Sequence, residues 1–290
     1  MIAANARRDV PGLVDVGGRR LRVLVQGTRD DAPAVVFLST LGCPLEAWTR
    51  VQRTVAEWTT AISYDRSDVG WNGRRAAVPR RADELEALLA ELGVVGPVVL
   101  VGHAYGALVA EELARRNPDR VAGLVAADAW HPDELRRSVH QRKAMAHLEA
   151  QLQRSMMAAL LRPGGREDFV ALDGLPAEQR PMAYRYLRRP HNWRTALAEL
   201  VSWKHSPPGS AERWPRFRAP ALVLASRVQV EHDQVRMRMQ QELAASSPTS
   251  AVLVVPEAAN LELVTDGRFS PHVGDAVLRL LGNAVVTEGA

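Results

Sequence analysis

Residues 97–106 read Pro-Val-Val-Leu-Val-Gly-His-Ala-Tyr-Gly, and their reading decides the fold. A short β-branched run ending at glycine fits a buried parallel strand. From Ala107 to Arg116, apolar residues recur at helical spacing (Leu108, Val109, Leu113), and Asn117-Pro118 stops the pattern. A strand that turns sharply into a helix needs small residues on both sides of the turn, and Gly102 and Gly106 supply them. Alone, the pattern also suits an ordinary tight turn, so the flanking chain has to narrow it.

Strand-like segments lie on both sides: Leu13–Val16, Leu21–Val25, Ala34–Leu38, Thr59–Tyr64, Val121–Ala127, Ala221–Ala225 and Ala251–Val255. Helical spacing fills the intervals at Leu45–Trp58, Ala82–Leu92, His232–Ala245 and Pro271–Leu281. Alternating strands and helices imply a parallel sheet covered on both faces. Between Val121–Ala127 and Ala221–Ala225 the pattern is helical only: Glu134–Leu161, Ala177–Leu187 and Trp193–Trp203, with breaks at Pro207-Pro208 and Trp214-Pro215. The expectation is a core of residues 1–131 and 219–290 with a helical cap, 132–218, inserted between two strands.

Composition sets limits. The 290 residues are 47% hydrophobic, enough for a large core. No apolar run reaches the ~18 residues of a spanning helix, and Met1 to Asp9 lack a signal-type stretch, so a cytoplasmic protein without membrane association is expected. Cys43 is the single cysteine, which excludes an internal disulfide and a cysteine-built metal site. Neither a metal nor a cofactor is expected. Of the 37 basic residues only Lys143 and Lys204 are lysines. The net charge is +4, while residues 132–218 carry 16 basic against 9 acidic residues. Such a segment either attracts an acidic ligand or is a solvated helical surface. No nucleic-acid-binding motif accompanies it, so nucleic acid is not an expected partner.

The ordered motifs resemble the α/β-hydrolase superfamily. Tyr64-Asp-Arg-Ser-Asp-Val-Gly-Trp71 is similar to that family's loop after the fourth strand, and Asn117-Pro-Asp-Arg-Val-Ala-Gly-Leu-Val125 to its approach to the strand before the cap. Asp128-Ala-Trp-His-Pro-Asp-Glu134 resembles a cap start. The resemblance implies a mostly parallel eight-stranded sheet with helices on both faces and a helical cap. It also implies a nucleophile at the centre of the pentapeptide, a histidine base and a carboxylate to orient it. At those positions stand Ala104, Asn260 and, after the strand ending at Ala225, Val228. On this reading the triad is degenerate, and without an activated nucleophile no acyl-enzyme forms.

The resemblance leaves a backbone oxyanion site in place, made by Tyr105 after the elbow and by Thr40 and Leu41 in the loop Ser39–Gly42. Tyr105, Asp128 and His131 are candidate proton-transfer groups. Tyr105 otherwise is a packed aromatic, Asp128 a cap or loop hydrogen-bonder, and His131 a hinge residue. His103 reads as structural, Cys43 as a small loop hydrophobe, and Trp130, Trp193, Trp203 and Trp214 as cap packing or pocket lining. Three functions fit. One is a non-hydrolytic, cofactor-independent epimerase, isomerase or cyclase acting on a small molecule or peptide, with a carboxylate-bearing ligand suited to the basic cap. Triad-less family members of this kind occur in bacterial natural-product pathways, and the chain is similar to the aspartate epimerase of bottromycin biosynthesis in fold and in lacking the triad. The others are a binding protein without turnover, and a hydrolase inactivated at Ala104.

Overall fold

The computed structural model describes residues 10–27, 32–68, 77–161, 172–206 and 218–287. Trp71, the Pro207-Pro208 break and Trp214-Pro215 lie outside the described residues, as do Met1 to Asp9. The strands are β1 (Gly12–Val16), β2 (Arg19–Gln26), β3 (Ala34–Leu38), β4 (Ala61–Tyr64), β5 (Val98–His103), β6 (Val121–Ala127), β7 (Ala221–Ser226) and β8 (Ser250–Val255). They form one sheet in the order β1-β2-β4-β3-β5-β6-β7-β8. β2 pairs antiparallel with β1 and β4, and every other pairing is parallel.

The helices are α1 (Thr49–Ala56), α2 (Val78–Glu91), α3 (Tyr105–Arg116), α4 (Glu134–Arg137), α5 (Val139–Leu161), α6 (Arg180–Leu187), α7 (Pro190–Lys204), α8 (Arg227–His232), α9 (Gln234–Ala245), α10 (Glu262–Thr265) and α11 (Ser270–Thr287). Successive strand residues point to opposite faces, which splits the core in two. Val35, Phe37, Val99, Val101 and Val125 pack with α1 and α11 through Val51, Val273 and Val277. Val36, Leu100 and Leu124 pack with α2 and α3 through Leu85 and Val109. Val223 packs with α9 through Leu243. Helices α4 to α7 fall between β6 and β7 in chain order, and no strand occurs among the described residues of that stretch.

The boundaries differ from the sequence pattern at proline, glycine and capping residues. α2 starts four residues before Ala82 because Pro79, in its first turn, presets the helical φ. Pro190 likewise advances the start of α7. The single helix expected over Leu45–Trp58 is a 3-10 turn, Leu45–Trp48, followed by α1. The helix expected from His232 is divided: Asp233 has extended backbone and its carboxylate caps the Val235 amide, 3.0 Å away, opening α9.

The two glycines of the pentapeptide are sterically required. A Cβ on Gly102 would overlap the backbone of Ala107, and one on Gly106 would overlap the Leu38 carbonyl. Strand β5, helix α3 and the end of β3 therefore meet at van der Waals distance around Ala104.

Candidate functional site

Ala104 links β5 to α3 with φ 47° and ψ −111°. Among the described residues the other non-glycine residues with positive φ are Asp128, at 46°, and Glu257, at 58°. All three lie just past the carboxyl ends of β5, β6 and β8. Each such conformation costs about 1–3 kcal/mol, and strain of this kind concentrates where a site requires a particular geometry.

These strand ends converge on Asn260. Its side-chain amide donates to Oδ2 of Asp128, and its backbone carbonyl accepts from Nε2–H of His103 at 3.0 Å. Burial lowers the His103 pKa to about 4, against the opposing charge of Asp128, so the ring is neutral and donates as a single tautomer. Asp128 is 0% exposed and pairs with Arg236 of α9 at 3.2 Å. Arg236 also donates to the Asp128 carbonyl at 3.1 Å and pairs with Glu134 of α4. Burial raises the Glu134 pKa to about 7, with Arg236 opposing.

The structure therefore places Ala104 and Asp128 just past the neighbouring strands β5 and β6, while Asn260, beyond β8, reaches Asp128 across the end of β7. Val228 lies elsewhere: it sits on α8 with 38% of its surface exposed. The carboxylate that meets Asn260 follows β6, and α8 occupies the stretch after β7, where the resemblance implied an acid position and the chain has Val228.

His131 is drawn away from this group. Its Nδ1 accepts from the Asp133 amide at 3.1 Å, and its Nε2 faces Glu242 of α9 at 3.5 Å. Burial lowers its pKa to about 4, opposed by Glu242. Tyr105 is fully buried with a raised pKa, burial being the main cause and the Glu199 charge the next. Its ring packs edge-on against Trp130 at 6.0 Å, and Trp130 packs against Trp203 of α7 at 4.6 Å with the ring planes tilted by 38°. Trp193 instead covers Gly42 and donates to the Leu187 carbonyl at 2.6 Å.

A second charged group borders the elbow. Arg66, after β4, makes a two-point contact with Glu199 of α7, at 2.7 and 3.0 Å. It also donates to the carbonyls of Ser39 and Thr40 at 2.6 and 3.1 Å, and it lies 5.2 Å from the centre of the Tyr105 ring. Glu199 is 1% exposed and pairs on its other side with Arg81 of α2 at 2.7 Å. A cavity of about 10 Å³, lined in part by Ser39, Arg66, Tyr186, Asn192 and Glu199, adjoins this network; that is the room of about one water. Burial raises the pKa of Cys43, in the same wall, to about 12, with Asp65 adding to the shift. This thiol stays protonated at neutral pH, which removes it as a nucleophile.

The sequence singles out Ala104, Asp128 and Asn260, which the structure places near one another, but not Arg66, Glu199 and Arg236, whose partners are distant in the chain. Among the described residues no group of three or more His, Cys, Asp or Glu could hold a metal, and no helix is long and apolar enough to cross a membrane.

Comparison with known proteins agrees with the fold. Residues 35–266 match the family model described as the alpha/beta hydrolase family, and the chain belongs to that family. It is 28% identical over 237 residues to the putative carbamate hydrolase RutD of Escherichia coli O127:H6, covering 80% of this chain and 79% of that one. The chain spans only 23% of an AB hydrolase superfamily protein of Gibberella zeae, at 36% identity over 24% of its own length. It spans 48% of YqjL of Bacillus subtilis, at 31% identity over 38% of its own length. Among solved structures, ALR0039 of Nostoc sp PCC 7120, a putative alpha/beta hydrolase, superposes with TM-score 0.72 at 14% identity, over 93% of this chain and 97% of that one. The enol-lactonase of Burkholderia xenovorans LB400 gives 0.67 at 15% identity, over 93% and 100%.

Proposed function

We propose that this chain works without an acyl-enzyme, as a non-hydrolytic α/β-hydrolase-fold enzyme that moves a proton on a small molecule or peptide bearing a carbonyl or carboxylate. The observation that carries this reading is the Asn260–Asp128 contact, joined through His103 to the strained elbow at Ala104. In this reading the strained elbow and an orienting carboxylate are retained, with a methyl group at the nucleophile position and an amide at the position of the base. Chemistry open to such a site runs through an enolate. A base takes the proton from the carbon beside the carbonyl, the C–H electron pair forms the C=C bond, and the carbonyl electrons settle on oxygen. Backbone amides of Thr40, Leu41 and Tyr105 are the oxyanion donors in this proposal. Return of the proton to the other face, or to another carbon, gives an epimer or isomer. Asp128 is the base candidate that touches Asn260; Tyr105 and His131 are held in other contacts. The degenerate triad is thus Ala104 and Asn260, with Val228 outside it and Asp128 as the surviving acid. The helices from α4 to α7 serve as the cap.

A reconstitution tests it. The unmodified chain and Ala104→Ser should not hydrolyse p-nitrophenyl butyrate, whereas Ala104→Ser/Asn260→His, which completes a triad with Asp128, should gain on the order of 10³-fold over the unmodified chain. Esterase activity in Ala104→Ser alone would identify a hydrolase blocked at its nucleophile and overturn the proposal.

One observation favours binding without turnover instead: both oxygens of Asp128 are engaged, by Asn260 and by Arg236. Deuterium uptake at Cα of aspartate-containing peptides, in heavy water with the protein present, separates the two. Uptake requires proton transfer; peptides that bind without uptake favour the binding protein.

A further inference from the structure

Three side chains hold the loop after β3: Asn192 of α7 donates to the Gly42 carbonyl at 3.1 Å, Trp48 donates to the Ser39 hydroxyl at 3.1 Å, and Arg66 alone takes two successive carbonyls. Arg66 directs one nitrogen at the Ser39 carbonyl and another at the Thr40 carbonyl, at 2.6 and 3.1 Å. In a trans peptide the N–H of the next residue points opposite to the carbonyl. Fixing these two carbonyls on Arg66 therefore turns the amides of Thr40 and Leu41 to the far side of the loop. Among the described residues neither amide has an acceptor. The loop lies beside the elbow, because Leu38 pairs with Gly102 across β3 and β5 and its carbonyl packs on Gly106. Arg66 is in turn fixed by Glu199 of α7, with side-chain exposures of 8% and 1%.

We infer that Arg66 is a positioning residue: it orients the Thr40 and Leu41 amides to receive an oxygen anion, and Glu199 makes that orientation depend on the seating of α7. The inference rests on the proposed function, in which the elbow holds a carboxylate or enolate oxygen, and it adds what sets the geometry of those donors. A neutral residue at position 66 would leave Glu199 buried beside Arg81 alone. A lysine keeps the charge but, as a compact point donor, cannot span two carbonyls and a carboxylate together.

The test uses the full chain labelled with ¹⁵N and titrated with butyrate as a carboxylate probe. The amide resonances of Thr40 and Leu41 should shift on addition. Arg66→Lys should bind butyrate about tenfold more weakly, a change of about 1.4 kcal/mol, with the two shifts reduced. Arg22→Lys is the control. Arg22 is another largely buried arginine, paired with Glu46 and Asp65, and its replacement should lower thermal stability comparably while leaving butyrate binding unchanged. Equal butyrate affinity and equal Thr40 and Leu41 shifts in Arg66→Lys and the unmodified chain would overturn the positioning role while leaving an anion site in place. Absence of any Thr40 or Leu41 shift in the unmodified chain would instead overturn the anion site, and the positioning role with it. Equal weakening in Arg22→Lys and Arg66→Lys would reduce Arg66 to a stabilising residue.

Discussion

Two buried arginines tie the inserted helices to the sheet, and they do so differently. Arg66 meets the last inserted helix through Glu199 and spends its remaining donors on backbone carbonyls of the loop after β3. Arg236 meets the first inserted helix through Glu134 and directs its other terminal nitrogen at Asp128, backbone carbonyl and carboxylate alike. One arginine thus shapes the wall that presents amides; the other holds the carboxylate. Around Arg66 a single carboxylate is shared with Arg81, whereas around Arg236 two carboxylates share one cation. Loss of the cation is therefore more damaging at the second anchor. Arg81 also pairs with Glu84, so the first anchor holds two cations with two carboxylates and the second one cation with two.

The sharpest way to break this comparison is Arg236→Met. It strands two buried carboxyl groups at once, and unfolding in urea should show a loss of about 3–5 kcal/mol. A loss no larger than that in Arg66→Lys would mean that the anchors are equivalent.

Glu111 supplies the intermediate case, a buried carboxyl with no arginine beside it. Burial alone holds its pKa well above the ordinary value. The folded chain therefore binds this proton more tightly than the unfolded chain does. Its contribution is fully present below the unfolded pKa and is lost as pH rises through the folded pKa, at up to about 1.4 kcal/mol per pH unit. Glu111→Gln should flatten that decline, gaining stability over the unmodified chain at pH 8 and little at pH 4, as read from urea midpoints. An unchanged pH profile would show that the carboxyl reaches water.

The smallest effect belongs to Lys204→Ala. Lys204 and Glu149 join α7 to α5 at 2.5 Å with side chains 30% and 26% exposed. Partial exposure and screening limit this pair to about 0–1 kcal/mol, so the melting temperature should scarcely move.

The difference between the anchors and the elbow also explains what the sequence reveals. Gly102 and Gly106 were legible because close packing permits only glycine there, and the strand-turn-helix spacing is local. Asp128 and Asn260 were legible as residues at strand ends, but their pairing joins positions 128 and 260 across β7, which separates β6 from β8 in the sheet and which adjacency in the chain does not state. Val228 lies on a helix, α8, which Ser226 starts by accepting from the Gln229 amide at 3.3 Å. Arg66, Glu199 and Arg236 were illegible. Each sits among charged and apolar residues whose pattern equally describes a solvated face, and the basic balance of residues 132–218 hid the fact that two of its minority acids, Glu134 and Glu199, point inward.

The packing of Trp130 against Trp203, 4.6 Å between ring centres, joins a core residue to an inserted helix. Two indoles that close share their excited states, so the pair is an optical gauge built into the chain. Near-ultraviolet circular dichroism in the tryptophan bands reads whether α7 is docked on the sheet, without a label and without knowledge of the ligand. A ligand that lifts the helix would remove the pair's share of the signal, and one that settles beneath a seated helix would leave it intact.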